Sequence, residues 1–105
     1  MTVYVLAQLT FTDRTAYERY QARFMEVLRP FGGRLLVAQE QPQVIEGQWR
    51  GDKVVLIAFD DEATLRAWSG SAAYQEISKD RKAGAQATVL LLRGVDAPLD
   101  RSSRL

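Results

Sequence analysis

The segment Lys53–Phe59, which reads Lys-Val-Val-Leu-Ile-Ala-Phe, is apolar on both of the faces that a β-strand presents. A strand with one face in water alternates apolar and polar residues, whereas a strand that is covered on both faces does not. This segment therefore predicts a central strand. A chain that holds such a strand must provide a covering layer for each of its two faces.

Three more strands are predicted from runs of β-branched, aromatic and aliphatic residues. The first is Val3–Phe11, the second covers residues 34–38, and the last covers residues 86–93. Together with the central strand they provide enough strands for one small sheet.

The connection between the second strand and the central strand contains Pro42, which lacks a backbone donor and interrupts strand pairing. Residues 44–46, Val-Ile-Glu, are expected to extend the second strand or to form a short extra strand. The Arg-Gly-Asp sequence at residues 50–52 predicts a tight hairpin turn that leads into the central strand.

Two helices are predicted, one after the first strand and one after the central strand. A Thr-Asp pair at residues 12–13 supplies N-cap oxygens for the first helix, which should end at the Pro-Phe-Gly-Gly sequence of residues 30–33. Its apolar residues recur every three or four positions and form one stripe, which consists of Tyr17, Tyr20, Phe24, Val27, Leu28 and Phe31. The second helix should have two parts, because Gly-Ser at residues 70–71 interrupts it before it resumes over residues 72–83.

The predicted elements follow the order strand, helix, strand, strand, helix, strand. This order is that of the ferredoxin-like α+β fold, a βαββαβ arrangement with an antiparallel sheet and both helices on one face. The other face of the sheet would then lack cover, although the central strand is apolar there. We therefore predict a homodimer that pairs through these sheet faces to form a dimeric α/β barrel.

A chain of 105 residues has the usual size of a single domain, which we place at residues 1–95. Residues 96–105 are polar, contain Pro98 and show no periodicity, so they predict a flexible C-terminal tail. No apolar run approaches the ~18 residues that a membrane-spanning helix needs. We expect no secretory signal and no membrane partner, and we expect a cytoplasmic location.

Charge and residue types limit the partners and the chemistry of the chain. Fourteen basic and 13 acidic residues are interspersed and give a formal net charge of +1, which disfavours nucleic acid as a partner. The chain has no cysteine and no histidine, so thiol catalysis, catalytic triads and metals or haem held by these residues are excluded. We expect no metal site and no cofactor, and proton transfer would fall to Tyr, Asp, Glu or Lys.

Four aromatic residues on the predicted helices should face the same surface of the sheet, namely Tyr17, Tyr20, Trp68 and Tyr74. Phenol and indole groups in such a set can stack against a flat organic ligand and donate hydrogen bonds to it. Packing in the core is the alternative for each of them. The pattern alone leaves both interpretations open.

Two charged residues are further candidates for a ligand site. Arg34 follows a glycine pair at the start of a strand, and its guanidinium group is suited to holding a carboxylate. Glu46 is an acid that we expect on the same side of the domain. The two residues would equally well form a structural ion pair with each other.

Several short motifs in fixed order carry a resemblance to a known family. They are Pro-Phe-Gly-Gly-Arg at 30–34, Val-Ile-Glu-Gly at 44–47, Val-Val-Leu-Ile-Ala-Phe at 54–59, and Trp68 with Ser71 and Tyr74. With these motifs the chain resembles domain-of-unknown-function family thirteen-thirty, within the dimeric α/β-barrel superfamily, over residues 4–94. The resemblance implies a homodimeric barrel with a cleft between sheet and helices in each subunit. Relatives in the superfamily include cofactor-free monooxygenases, isomerases and haem enzymes, so the fold does not select a reaction.

Two hypotheses about function follow. The first is a small-molecule site in each subunit for an organic acid or an aromatic compound, which could be that of a cofactor-independent enzyme. The second is a non-catalytic dimeric module that binds a metabolite or a protein partner. A cavity with converging polar groups between sheet and helices would favour the first hypothesis, and a solidly packed interface would favour the second.

Overall fold

The computed structural model describes residues 1–95, and the predicted tail at residues 96–105 lies outside the described residues. Four strands and three helices make up the described chain. In order they are β1 (Val3–Phe11), α1 (Arg14–Leu28), β2 (Arg34–Glu40), β3 (Lys53–Phe59), α2 (Glu62–Ser69), α3 (Ala72–Gly84) and β4 (Ala85–Arg93). A short 3₁₀ turn over Arg29–Phe31 follows α1.

The four strands form one antiparallel sheet in the order β2-β3-β1-β4. The strand β3, predicted to be central, pairs with β1 on one side and with β2 on the other. The helices pack against one face of this sheet, so the chain has the ferredoxin-like α+β fold. The prediction of fold class from the element order is confirmed.

The first helix begins where the sequence predicts. Asp13 is its N-cap, and the carboxylate oxygen Oδ1 of Asp13 accepts hydrogen bonds from the backbone N–H groups of Thr15 at 3.1 Å and Ala16 at 3.3 Å. The predicted apolar stripe on α1 is buried against the sheet from Tyr17 to Leu28. This burial fixes which side chains of α1 can reach the space between helix and sheet.

The predicted interruption of the second helix is confirmed, because α2 and α3 are separated by Gly70 and Ser71. The hydroxyl of Ser71 accepts a hydrogen bond from the backbone N–H of Tyr74 at 3.1 Å and so caps α3. At the other end of α3, a Cβ on Gly84 would collide with the backbone of Tyr17. Glycine at this position therefore lets α1 and α3 lie against each other at close range.

The connection between β2 and β3 differs from the expectation. Residues 44–46 form no strand, and 50–52 is not a tight hairpin turn, since β2 and β3 are joined by the long loop of residues 41–52. Asp52 closes this loop. Its carbonyl accepts from the Gln41 N–H at 2.8 Å, while its carboxylate accepts from the Phe11 N–H at 2.9 Å. Asp52 thus ties the loop to the end of β2 and to the end of β1, instead of serving as the last residue of a tight turn.

The face of the sheet away from the helices carries an apolar row that crosses all four strands. Residues that lie directly opposite each other in antiparallel strands project from the same face. Pairing places Val37 beside Leu56, Leu56 beside Leu6, and Leu6 beside Leu90. Val37 and Leu90 are exposed in the single chain. The second face of β3 is thus apolar, and no helix within residues 1–95 covers it, as the sequence predicts.

Candidate functional site

A cavity of about 720 Å³ lies between the helix-covered face of the sheet and the helices. Val5 and Leu9 of β1 and Val55 and Ile57 of β3 line its sheet side. These residues lie at alternate positions of their strands, so their side chains all point to the face that the helices cover. Ala7 also lines the cavity, and its small side chain leaves space in the middle of the sheet. The helix–sheet interface is therefore not solidly packed.

The four predicted aromatic candidates lie together in the wall of this cavity, on α1, α2 and α3. The ring centroids of Tyr17 and Tyr20 are 5.7 Å apart, and those of Trp68 and Tyr74 are 4.2 Å apart. The Tyr20 and Tyr74 rings meet edge to face at 6.3 Å. Separate helices thus supply one cluster of tilted aromatic rings in the cavity wall, which can make edge-to-face contacts with an aromatic ligand.

Burial makes two of these phenol groups harder to ionise. It raises the pKa of Tyr17 to about 12. The pKa of Tyr20 is raised as well, first by burial and then by the neighbouring Tyr74. Both hydroxyls are neutral at physiological pH, and each has a proton to donate in a hydrogen bond.

Trp68 packs in the core and also lines the cavity. Its side chain is 3% exposed, and its ring lies 5.3 Å from that of Phe59 and 6.1 Å from that of Phe24. Its indole N–H has no hydrogen-bond partner within residues 1–95. A buried indole N–H normally finds an acceptor, so this donor is left unsatisfied by the described chain.

Lys53 is a cavity residue that the sequence analysis missed. It is the first residue of β3 and is only 5% exposed. Its ammonium nitrogen Nζ donates to the side-chain oxygen of Gln21 at 3.0 Å and lies 4.9 Å from the centre of the Tyr17 ring. The sequence did contain one signal. Alternate residues of a strand point to the same face, so Lys53 shares its face with Val55, Ile57 and Phe59, which are buried.

Glu40 faces Lys53 across the β2–β3 pair, but its carboxylate is engaged elsewhere. The guanidinium group of Arg14 donates to both of its oxygens, at 2.8 and 3.0 Å. This hydrogen bonding lowers the pKa of Glu40. Burial lowers the pKa of Lys53, and the charge of Glu40 partly opposes that effect. The cluster of Arg14, Glu40 and Lys53 therefore carries one net positive charge at the cavity.

The other two candidates do not lie at this cavity. Arg34 is opposite Ala58 on the sheet and forms an exposed ion pair with Asp60, in which N and O are 2.8 Å apart. Glu46 is exposed in the loop of residues 41–52, beside a shallow groove that Gln8 also lines. Arg34 is thus paired with Asp60 and not with Glu46, and neither candidate joins the aromatic set.

The sequence matches a family known as Domain of unknown function (DUF1330) over residues 2–95. That match covers nearly the whole chain. The chain belongs to DUF1330. The resemblance found in the ordered motifs is thereby confirmed, and no curated protein matches the DUF1330 chain significantly.

Solved structures share the fold of this DUF1330 chain at low identity. A protein of unknown function from Rhodopseudomonas palustris is 16% identical with a TM-score of 0.77, over 91% of this chain and 84% of that chain. A dimeric ferredoxin-like protein of unknown function from Jannaschia sp. CCS1 is 20% identical with a TM-score of 0.70, over 90% and 100%. SnoaB, a cofactor-independent oxygenase from Streptomyces nogalater, is 12% identical with a TM-score of 0.66, over 94% and 98%. At these identities the likeness establishes the fold alone.

Within residues 1–95, acidic side chains do not gather in a group of three that could hold a metal ion. None of the helices in that range combines the length and the apolar character needed to cross a bilayer. The aromatic cavity with Lys53 is accordingly the site from which a function can be argued.

Proposed function

We propose that this DUF1330 chain binds a small organic molecule, aromatic or acidic, in the cavity of each subunit of a homodimer. The observation that carries this proposal is the cavity of about 720 Å³, into whose lining three helices bring tyrosine and tryptophan side chains. Ligand sites in proteins typically combine a mostly apolar concave surface with a few polar groups that fix orientation. The cavity has this composition, since Lys53, Tyr20 and Tyr74 stand among apolar neighbours.

The cavity favours a small-molecule site over a module that only binds proteins. A layer of helices that served only to support a docking surface would be expected to pack against the sheet without a large void, because voids cost stability. The space between α1, α3 and the sheet is instead large enough for a molecule with one or two rings. The cavity is also partly open to solvent, so a ligand can enter it from outside the domain.

Catalysis without a cofactor is the wider form of this proposal. The cofactor-independent oxygenase SnoaB has this fold, so the fold is compatible with such chemistry. In this chain the groups that could hold or move a proton beside a ligand are the hydroxyls of Tyr20 and Tyr74 and the amine of Lys53. The assignment of a reaction requires the ligand to be known first.

The homodimer is supported by the apolar row on the face away from the helices. Leu90 on the edge strand β4 is 43% exposed, and Leu92 on the same face is 39% exposed. Burying these residues together with Leu6 and Leu56 against a second copy would remove this apolar surface from water. The ferredoxin-like neighbour from Jannaschia is described as dimeric, which agrees with this arrangement. The cytoplasmic location stays a prediction, supported by the absence of cysteine.

Native mass spectrometry of freshly isolated protein tests both parts of the proposal. We expect the mass of two chains and, after gentle activation, release of one small molecule per chain. Light scattering at micromolar concentration should give the same dimer mass. A ligand-free monomer that also fails to bind aromatic or acidic probes would contradict the proposal.

A further inference from the structure

We propose that the cavity ligand is an anion, a planar aromatic carboxylate, and that the ammonium group of Lys53 is its counter-ion. This inference rests on the proposed function and makes it more specific. It assigns a binding role to Lys53 and a charge to the ligand. The argument depends on which groups near Lys53 are already paired and which are not.

The carboxylate closest to Lys53 in the sheet is not available to neutralise it. Strand register places Glu40 directly opposite Lys53 on the helix-facing side. The guanidinium group of Arg14, however, donates hydrogen bonds to both carboxylate oxygens of Glu40, at 2.8 and 3.0 Å, in a bidentate pair. No carboxylate within residues 1–95 lies close enough to Lys53 to form an ion pair with it.

The partners that Lys53 does have are electrically neutral. They are the side-chain oxygen of Gln21 at 3.0 Å and the face of the Tyr17 ring at 4.9 Å. Both stabilise a positive charge only in part. A buried charge is costly unless an opposite charge accompanies it, and Lys53 is a buried residue. The charge of Glu40 offsets this cost only in part. An anionic ligand in the cavity would supply the missing charge.

Two further donors at the cavity are buried and lack an acceptor in the described chain. The indole N–H of Trp68 and the Nε–H of Arg81 are buried without an acceptor within residues 1–95. Arg66 and Lys82 add further positive charge to the lining, whereas the one acidic lining residue, Glu40, is held by Arg14. A ligand that fits this lining must therefore bring acceptors, as an anion with several oxygen atoms does.

The shape of the lining indicates the rest of the ligand. The rings of Tyr17, Tyr20, Trp68 and Tyr74 form a cluster of tilted rings in the cavity wall, which favours edge-to-face contact with a planar aromatic body. A single buried ammonium group matches the single charge of a carboxylate. A phosphate ester carries more charge and is usually held by several arginine or backbone N–H groups. Of the other cationic lining residues in the described chain, Arg66 pairs with Glu62 and Lys82 is exposed, which leaves only Arg81 beside Lys53.

Two probes of the same size test the inference on the unmodified dimer. They are 2-naphthoate, which is a carboxylate, and 2-naphthalenemethanol, which is neutral, with affinities measured by isothermal titration calorimetry. A hydrogen bond to a charged group contributes enough for the carboxylate to bind about 10- to 100-fold more tightly. The substitution Lys53→Met should abolish this preference. The control Lys79→Met should retain it, because Lys79 is an exposed residue of α3 that pairs with Glu76 outside the cavity.

Each outcome bears on a different statement. Equal binding of the two probes to the unmodified dimer would overturn the anion inference while leaving the small-molecule site intact. Failure of both probes to bind would overturn the proposed function as well. If Lys53→Met does not fold, as judged by circular dichroism, the comparison of the two probes on the unmodified protein still decides the question.

Discussion

The hydroxyl oxygens of Tyr20 and Tyr74 lie 3.3 Å apart, so that one hydrogen bond joins α1 to α3 in the wall of the cavity. Tyr20 is buried, whereas Tyr74 is partly exposed. The pair links the two helices that frame the site, and it leaves one hydroxyl proton and several lone pairs for a ligand. It is both a structural contact and a candidate for proton transfer.

The hydrogen bond between these tyrosines should be measurable in a double-mutant cycle. We expect Tyr20→Phe and Tyr74→Phe each to lower the free energy of unfolding by about 0.5–1.5 kcal/mol, because each removes one partner of a partly buried hydrogen bond. The double variant should lose less than the sum of the two. Urea unfolding provides the values. Fully additive losses would show that the two hydroxyls are not coupled.

Tyr17 and Tyr20 should ionise at a higher pH in the folded protein than in the unfolded chain. The pKa of Tyr17 is raised from 10.0 to about 12, and that of Tyr20 is also raised. At about pH 11 both should remain protonated in the folded chain and ionise once it is unfolded in guanidinium. Tyrosinate absorbance measures this difference. The unfolded chain releases these protons first, so the free energy of unfolding should fall as the pH rises from about 10 to about 12.

Replacing Lys53 by methionine should change the dependence of stability on pH. Burial lowers the pKa of Lys53 below its usual 10.5. At pH values between the lowered pKa in the folded chain and 10.5, Lys53 is protonated in the unfolded chain and deprotonated in the folded chain. The free energy of unfolding of the parent protein therefore rises with pH in that range. Methionine has no such proton. We expect Lys53→Met to be as stable as the parent or more so at neutral pH.

The stability advantage of Lys53→Met should shrink as the pH approaches 10.5, the usual value for lysine. Guanidinium unfolding at several pH values measures it. The matched control is Lys79→Met, since Lys79 is exposed and pairs only with Glu76 in the described chain. The free energy of unfolding of that variant should differ from that of the parent by the same amount at every pH. A constant offset for Lys53→Met would contradict the shift in the pKa of Lys53.

A charge in the middle of the apolar row should prevent dimer formation. Leu90 lies beside Leu6 on the face away from the helices and is 43% exposed in the single chain. Leu90→Asp would bury an unpaired carboxylate in the dimer, and we expect self-association to weaken about 100-fold or more. Light scattering measures the change. The control Ala72→Asp, at the exposed start of α3, should remain dimeric and folded.

Trp68 and Arg34 should differ sharply in their effect on stability. Trp68→Ala removes a ring that packs on Phe59 and Phe24, and we expect a loss of about 3–5 kcal/mol. Arg34→Met removes an ion pair with Asp60 that lies at the surface, and it should cost about 0.5 kcal/mol or less. Thermal and urea unfolding distinguish the two. A large loss for Arg34→Met would show that Arg34 has a structural role beyond this pair.

Local signals in the sequence were sufficient for most of the fold. The two-sided apolar pattern of Lys53–Phe59 identified the central strand, Asp13 marked the start of α1, and residues 70–71 marked the break between α2 and α3. These features depend on residues that are neighbours along the chain, through side-chain periodicity and capping hydrogen bonds. The aromatic set could be predicted for the same reason, because its members lie on the buried faces of helices.

Only the tertiary structure decided how the charged groups are paired and that a cavity exists. Arg14 reaches Glu40 because strand pairing and the angle of α1 bring them together, and this contact leaves Lys53 without a carboxylate. Arg34 contacts Asp60 for a similar reason, and no pattern among neighbouring residues predicts that pair. Such pairings depend on strand register and on the distance between helix and sheet. Those quantities arise from the packing of the whole domain, whereas the sequence by itself determined the elements and the faces that they bury.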